Sequence, residues 1–273
     1  MMTLDILICS IDKGIVRVQD VLLEPREGVR YVVSYQYTDA RYLDLIPASV
    51  KGREDVSLFL YKGRGLSANR NLALDKATAD LVMYADDDAR LLDDTPDRAI
   101  APFVADEELD VAFFQASTYT GRPLKSYPEK GFRISRREQD YGISALEMVC
   151  RRRRVQGKVR FDERFGLGTR FLTCGEEEVW LDDALRAGLR MAYIPQKLVE
   201  TSTMLKSAEL YSSAGVMRSR GAIMYYRYGS AAFFSCFRLA LSSWREGRCG
   251  FWMMFTHLIE GIRYVKQTPR QGV

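Results

Sequence analysis

The stretch from Leu81 to Arg90 is an apolar run of strand length that ends abruptly in Asp86, Asp87 and Asp88. A short continuous apolar run bounded by polar residues fits a strand buried on both faces, as in a parallel sheet. Open α/β sheets bind their ligands just beyond the carboxyl ends of such strands. Three carboxylates clustered there repel one another and call for a positive partner. A divalent cation carrying phosphates is the natural one, because Mg²⁺ and similar ions take carboxylates together with substrate phosphates. The plain alternative is that these residues only end the strand and open a turn, a place that Asp favours.

The chain before this stretch alternates strand and helix. Leu4–Cys9 reads as a first buried strand, followed by a polar break at residues 10–14 and a helix over 15–23. Tyr31–Tyr35 and Val56–Leu60 read as further strands, with Thr38 and Asp39 beyond the carboxyl end of the second. Gly63 and Gly65 make a turn, and a helix opens near Ser67, a good N-cap type. Asn69 lies three residues after Leu66 and four before Ala73, so it shares the inward face of that helix. Such alternation predicts an α/β fold, a Rossmann-like and mostly parallel sheet flanked by helices. It brings Ser10, Asp39, Gly65 and Asp86 to one edge. The glycine turn could cradle phosphate through backbone N–H groups, although an ordinary turn reads equally well.

Beyond residue 90, Thr95–Val104 reads as a helix opened by Pro96, and Val111–Gln115 as a strand. Residues 122–170 are basic, with fourteen Lys/Arg against six Asp/Glu, and include the run Arg151–Arg154. Three readings of that run are open: a nucleic-acid surface, a solvated strand edge, or arginines facing phosphates in the cleft. No stacking aromatics interleave with it, and a nucleic-acid partner is not expected. A second acidic cluster, Glu176, Glu177 and Glu178, opens a helix where the macrodipole favours negative charge. Glu177 lies four before Leu181 and shares the apolar stripe, which makes it the candidate general base. Glu178 stacks on Asp182 toward solvent. Met191–Ile194 is a further strand closed by Pro195.

The remainder is helical and basic: residues 201–273 hold ten Lys/Arg against three Asp/Glu, while the chain as a whole carries only +4. On one helix Ser235, Arg238, Ser242 and Arg245 form a polar stripe, with Phe233, Phe234, Phe237, Leu241 and Trp244 as the apolar remainder. On the next, Glu260 and Arg263 oppose Phe251, Trp252, Phe255 and Ile259. Residues 230–266 suit an anionic membrane surface, and equally suit packing on the domain or on a second subunit of a homo-oligomer. The expected division is a catalytic domain over 1–203 and a basic amphipathic tail over 204–273. Five scattered cysteines with no CxxC favour reduced thiols. His257, the single histidine, sits among apolar residues far from the acidic clusters, which argues against Ser-His-Asp or Cys-His catalysis. Without a signal peptide or a long apolar run, the expected location is cytoplasmic, peripheral on the inner face of the membrane.

Taken together, these motifs resemble family 2 glycosyltransferases of GT-A fold, over roughly residues 4–203. Asp86–Asp88 looks like the DXD motif. The run from Gly65 to Asn71 resembles the glycine-then-Arg-Asn helix start beside the donor. Phe165–Gly168 followed by Gly175, Glu176 and Glu177 resembles the acceptor loop and base motif. The C-terminal helices resemble the membrane-associating tails of bacterial members that build surface polysaccharides. The resemblance implies an inverting transferase with a nucleotide-diphosphate-sugar donor and a saccharide or lipid-linked acceptor. It implies Mg²⁺ or Mn²⁺ on Asp88, donor contacts from Ser10, Asp39, Gly65, Asn69, Arg70 and Asp86, and Glu177 as base. Two departures stand out: Ser34 and Tyr35 replace the usual acids after the second strand, and residues 199–203 lack the frequent metal-binding histidine. The rival readings are a metal-dependent nucleotidyltransferase, which would release pyrophosphate, and a non-enzymatic RNA-binding or scaffold protein.

Overall fold

The computed structural model describes residues 1–136, 141–202 and 210–270. The expected domain boundary at 203/204 lies outside the described residues, as does Thr203 of the segment read for a missing histidine. The chain divides into two compact units. One comprises Met1–Arg64, Asn69–Arg160 and Asp183–Leu205, the other Gly65–Ala68, Phe161–Asp182 and Lys206–Val273.

The first unit is built on a nine-stranded sheet among the described residues. Its strands are β1 (Leu4–Ile11), β2 (Val29–Tyr37), β3 (Val56–Lys62), β4 (Leu81–Asp86), β5 (Ala89–Leu91), β6 (Val111–Thr118), β7 (Phe132–Ile134), β8 (Met148–Arg151) and β9 (Met191–Thr201). The order is β3-β2-β1-β4-β8-β6-β9-β5, with β7 also on β9. The first four strands of that order are parallel, as the alternation predicts, and β8 is inserted antiparallel to both β4 and β6. Strand β4 is buried from Leu81 to Ala85, which is what a continuous apolar run needs on a sheet covered on both faces. In register, Cys9 of β1 lies opposite Asp86, the last residue of β4, and Ser10 lies opposite Tyr35 of β2, so β1 runs two residues past the end of β4.

Helices α1 (Val18–Val21), α2 (Ala48–Gly52), α4 (Thr95–Ala105) and α5 (Arg152–Val155) belong to this unit, as does all of α3 (Leu66–Lys76) from Asn69 on. The helix expected over 15–23 is instead a 3₁₀ turn over Asp12–Arg17 leading into the single turn of α1. Strand β9 also runs past Pro195, where the sequence predicts a stop. Its register with β6 shifts between the Phe113 and Gln115 pairings, so Pro195 sits at an irregularity where the ladder does not need its missing N–H.

The second unit holds the start of α6 (Glu176–Arg186) and three long helices, α7 (Ala214–Tyr228), α8 (Ala232–Arg245) and α9 (Phe251–Gln267). Gly221 and Gly261 set the spacing of α7 and α9. A Cβ on Gly221 would lie 2.0 Å from the Leu258 carbonyl oxygen, and one on Gly261 would lie 1.9 Å from that of Arg218. The two backbones therefore touch where only glycine fits. Arg164, paired with fully buried Asp162, donates to the Val265 and Thr268 carbonyls and so closes the C-terminus of α9. His257 bonds Glu260 at 3.0 Å, which Arg218 also holds at 2.7 Å; the histidine is structural, as its sequence setting predicts. All five cysteines are free.

Candidate functional site

The end of β4 divides its three aspartates among three sets of neighbours. Asp87 is the buried one, although in a continuing strand its side chain would alternate with those of Asp86 and Asp88. Ser10 donates to it at 2.7 Å, and Arg17 forms an ion pair with it. The reason is that β4 stops at Asp86, so Asp87 lies in the turn before β5 and no longer follows the pleat. Gly14 makes room for it: a Cβ there would stand 1.9 Å from the Asp87 Oδ2. The hydrogen bond to Asp87 raises the Arg17 pKa.

Asp86 is partly exposed and lies 3.8 Å from Arg70, whose side chain is buried. Beneath them the Cys9 thiol is pushed up to about 12, mainly by burial, so it is protonated and inert at neutral pH. Asp88 is half-buried; Ser202 donates to its carboxylate and the Tyr119 hydroxyl to its backbone carbonyl.

Ser10 and Asn69, both expected at the donor, spend their polar atoms on protein partners. Asn69 Nδ2 donates to the Ser10 carbonyl at 3.0 Å, and the Asn69 Oδ1 accepts from Ser34 at 2.5 Å. They tie α3 to β1 and β2, and Ser10 also holds Asp87. Asp39 is exposed and caps the 3₁₀ turn over Ala40–Leu45, accepting from the Arg41 N–H at 3.0 Å. Gly65 belongs to the other unit and has φ +129°, a conformation that calls for glycine. Ser67 is not the cap of α3, which starts at Leu66; its hydroxyl donates to the Phe165 carbonyl at 2.7 Å.

Two open depressions flank this edge. One, of about 320 Å³, is lined by Lys13, Arg41, Tyr42 and Leu45. The other, of about 300 Å³, is lined by Thr118, Tyr119, Thr120, Arg122, Thr201 and Ser202. The second borders Asp88 through Ser202 and Tyr119 and is rich in hydroxyls. Sequence reasoning misses it because its residues come from β6, the turn after it and the end of β9, about eighty positions apart. Only the parallel pairing of Thr118 with Thr201 unites them.

Among the described residues, no three His, Cys, Asp or Glu side chains converge as a protein-built metal cage. The oxygens available are the carboxylates of Asp88 and Asp86 with the Ser202 hydroxyl. Such a hard, sparse donor set fits an ion that takes the rest of its shell from substrate phosphates and water.

The arginine run lies elsewhere. Arg151 pairs with Leu81, at the opposite end of β4 from Asp86 and about 16 Å away by strand rise. Arg151 donates to the Leu109, Phe103 and Asp106 carbonyls, Arg152 to that of Ala79, and Arg154 pairs with Asp110. These three arginines tie loops to the sheet, and do not face phosphates at the Asp86 end.

In the second unit the three glutamates of α6 also part company. Glu176 is the buried one, with Glu177 and Glu178 half-buried. A Cβ on Gly166 would stand 3.1 Å from the Glu176 carboxylate. Glu178 and Asp182, expected toward solvent, are covered instead: Arg227 of α7 pairs with both, reaching Asp182 at 2.9 Å, and Arg220 also reaches Glu178. Burial lowers the Arg227 pKa, but the bond to Asp182 and the charge of Glu178 outweigh it, and the net shift is upward.

With this geometry in hand, the comparisons are specific. Residues 48–156 match the model of Glycosyl transferase family 2. The S. aureus TarS 1–349 crystal structure is 15% identical, with a TM-score of 0.58 over 98% of this chain and 93% of that one. The fold is GT-A. A longer TarS structure matches at 14% identity and a TM-score of 0.60, over 100% of this chain and 56% of that one. TarS 1–349 in complex with UDP-GlcNAc matches at 13% identity and a TM-score of 0.54, over 97% and 92%. This chain thus spans about half of the longer TarS. No curated protein matches it by sequence. The matched range contains Gly65, Asn69, Arg70 and Asp86–Asp88; Ser10, Asp39 and Glu177 lie outside it.

Proposed function

We propose that this chain is an inverting glycosyltransferase that moves a sugar from a nucleotide-diphosphate-sugar to an acceptor hydroxyl. The observation that carries the reading is Asp88 at the carboxyl end of β4, beside a hydroxyl-lined depression, inside a family 2 match. TarS, of the same fold, has been crystallised with UDP and with UDP-GlcNAc, which supports a uridine nucleotide-sugar as donor.

The nucleoside diphosphate would lie toward Lys13, Arg41 and Tyr42, where two cations meet an aromatic face. The sugar would lie against Thr118, Thr201 and Ser202, whose hydroxyls suit its own. Arg70 pairs with Asp86, and Ser10 with Arg17 holds Asp87, which leaves Asp88 beside Ser202 at the depression. Asp88 would hold Mg²⁺ or Mn²⁺ against the diphosphate. When bound, the ion offsets charge on the departing nucleoside diphosphate. Glu177 is assigned as the base that deprotonates the acceptor hydroxyl for direct displacement at the anomeric carbon. The acceptor is a saccharide or lipid-linked saccharide of cell-surface polysaccharide synthesis, met at the inner face of the membrane.

A thermal-shift screen of nucleotide-sugars with and without Mn²⁺ tests this, since a ligand that binds only the folded state raises the melting temperature. A UDP-sugar should stabilise the protein in an Mn²⁺-dependent way and be turned over to UDP. Stabilisation by nucleoside triphosphates, with pyrophosphate as product, would replace the transferase by a nucleotidyltransferase.

A further inference from the structure

The depression beside Asp88 has walls of different chemistry. Thr118 and Thr201, paired in register, are buried, whereas Tyr119 and Arg122 stand exposed. Its hydroxyls are largely spent on the protein. Thr118 and Thr120 bond each other at 2.9 Å, Ser202 donates to the Asp88 carboxylate and Tyr119 to the Asp88 carbonyl. Among the described residues, Arg122 is the one charged side chain lining the depression, and its guanidinium has no acceptor on the protein. Other arginines at this end of the sheet are occupied: Arg17 by Asp87, Arg70 by Asp86 and Arg90 by Glu200. The backbone also presents Arg122 rigidly. The chain reverses at Gly121, which has φ +79° and donates to the Thr118 carbonyl at 2.8 Å. The Thr118 N–H donates to the Arg122 carbonyl at 2.8 Å, and the Arg122 N–H donates to the Thr118 hydroxyl at 3.2 Å. Pro123 then restricts Arg122 to extended backbone and bridges to Ser117.

We propose that Arg122 is a specificity-determining residue for a sugar that bears a carboxylate, so that the donor is a nucleotide-linked uronic acid. This rests on the depression being the sugar site of the proposed transferase. A guanidinium offers five N–H donors and no acceptor, in a planar fork that matches the two oxygens of a carboxylate. A neutral sugar offers it hydroxyl oxygens only, which make the weaker bond of an uncharged acceptor. A carboxylate in this depression would also face Asp88, and like charges set side by side are costly. Such a sugar is therefore admissible only where a cation stands ready for it, and Arg122 is that cation. The hydroxyls of the sugar ring would meet Thr118, Thr201 and Ser202, leaving its acidic substituent for the exposed wall.

Calorimetric titration with Mn²⁺ present tests this with pairs of donors that differ at one carbon: UDP-glucuronate against UDP-glucose, and UDP-galacturonate against UDP-galactose. One of the acidic donors should bind the parent about tenfold more tightly than its neutral counterpart, the usual worth of a charged hydrogen bond. R122Q should lose that preference and bind the neutral donors as the parent does. R122K, which keeps the charge without the fork, should fall between. The Arg122 side chain bonds nothing in the fold, so melting curves of both variants should match the parent. Equal affinity of the parent for acidic and neutral donors, or a preference that survives R122Q, overturns the acidic sugar and leaves the transferase standing. Failure of every UDP-sugar to bind removes the transferase donor, and the acidic sugar with it. If R122Q leaves donor binding untouched and raises KM for an acceptor bearing phosphate or carboxylate, the oxyanion belongs to the acceptor and the uronic donor is wrong.

Discussion

Two runs of three consecutive acids, one ending a strand and one opening a helix, look alike on paper and are handled differently by their surroundings. At the end of β4 the chain turns, so the strand's own alternation stops applying at Asp87. That residue goes inward, to Ser10 and Arg17, while Asp88 is left at the edge of a depression. At the start of α6 the helix fans the three glutamates by about 100° each. Glu176 goes inward, Glu178 goes to Arg227, and Glu177 lies between them. In each run arginines from distant parts of the chain pair with the acids: Arg17 with Asp87 and Arg70 with Asp86 in the first, Arg227 and Arg220 with Glu178 in the second. The lesson is that a triplet of acids is not three equivalent ligands: the neighbours that approach from elsewhere in the chain give each member a different setting.

The largest expected effect tests the helix run. Glu177→Gln should lower turnover about 10²–10⁴-fold, the usual worth of a general base, with donor affinity nearly unchanged. Full activity would remove Glu177 from the comparison and turn attention to Glu176. Next, Arg227→Ala should cost about 3 kcal/mol in urea unfolding, because it strands Asp182 and Glu178 without their cation. A loss under about 1 kcal/mol, within the range of exposed pairs, would mean that α6 does not depend on that pair.

On the strand run, Asp88→Asn should weaken Mn²⁺-dependent donor binding about 10–100-fold, at least what loss of an outer-shell partner costs, as read by calorimetric titration. Unchanged titration would remove the metal role from this residue. The smallest effect belongs to Arg17→Ala. Arg17 is 58% exposed, so solvent screens its pairing with Asp87, and stability should fall by about 0.5–1 kcal/mol. A loss well beyond that range would show Ser10 to be insufficient for Asp87.

Much of the fold was legible. Runs such as Leu4–Cys9 and Leu81–Ala85 are too apolar for any place but a covered sheet; the helix carrying Asn69, by contrast, is buried beyond one face, at Ser67, Asn69, Arg70, Asn71, Ala73 and Leu74. The readings that failed share a cause. Glu178 reads toward solvent from its own helix, and the run 151–154 leaves three roles open; each is governed by partners dozens of residues away. The hydroxyl-lined depression beside Asp88 left no local trace, because β6 and β9 meet only through strand pairing. Pro195 was read as a stop, which holds for a regular ladder and not at a register shift.

The sequence by itself determined the parallel strands β1 to β4 and that acids crowd the carboxyl end of β4, because burial and charge repulsion are written residue by residue. Tertiary structure decided which of Asp86, Asp87 and Asp88 remains at the surface, which glutamate of α6 is tied down, and that α8 buries alanine and shows phenylalanine. Those outcomes depend on which side chains approach from elsewhere, and on close contacts such as Gly14 against Asp87 or Gly261 against the Arg218 carbonyl, where the absence of one carbon sets the packing.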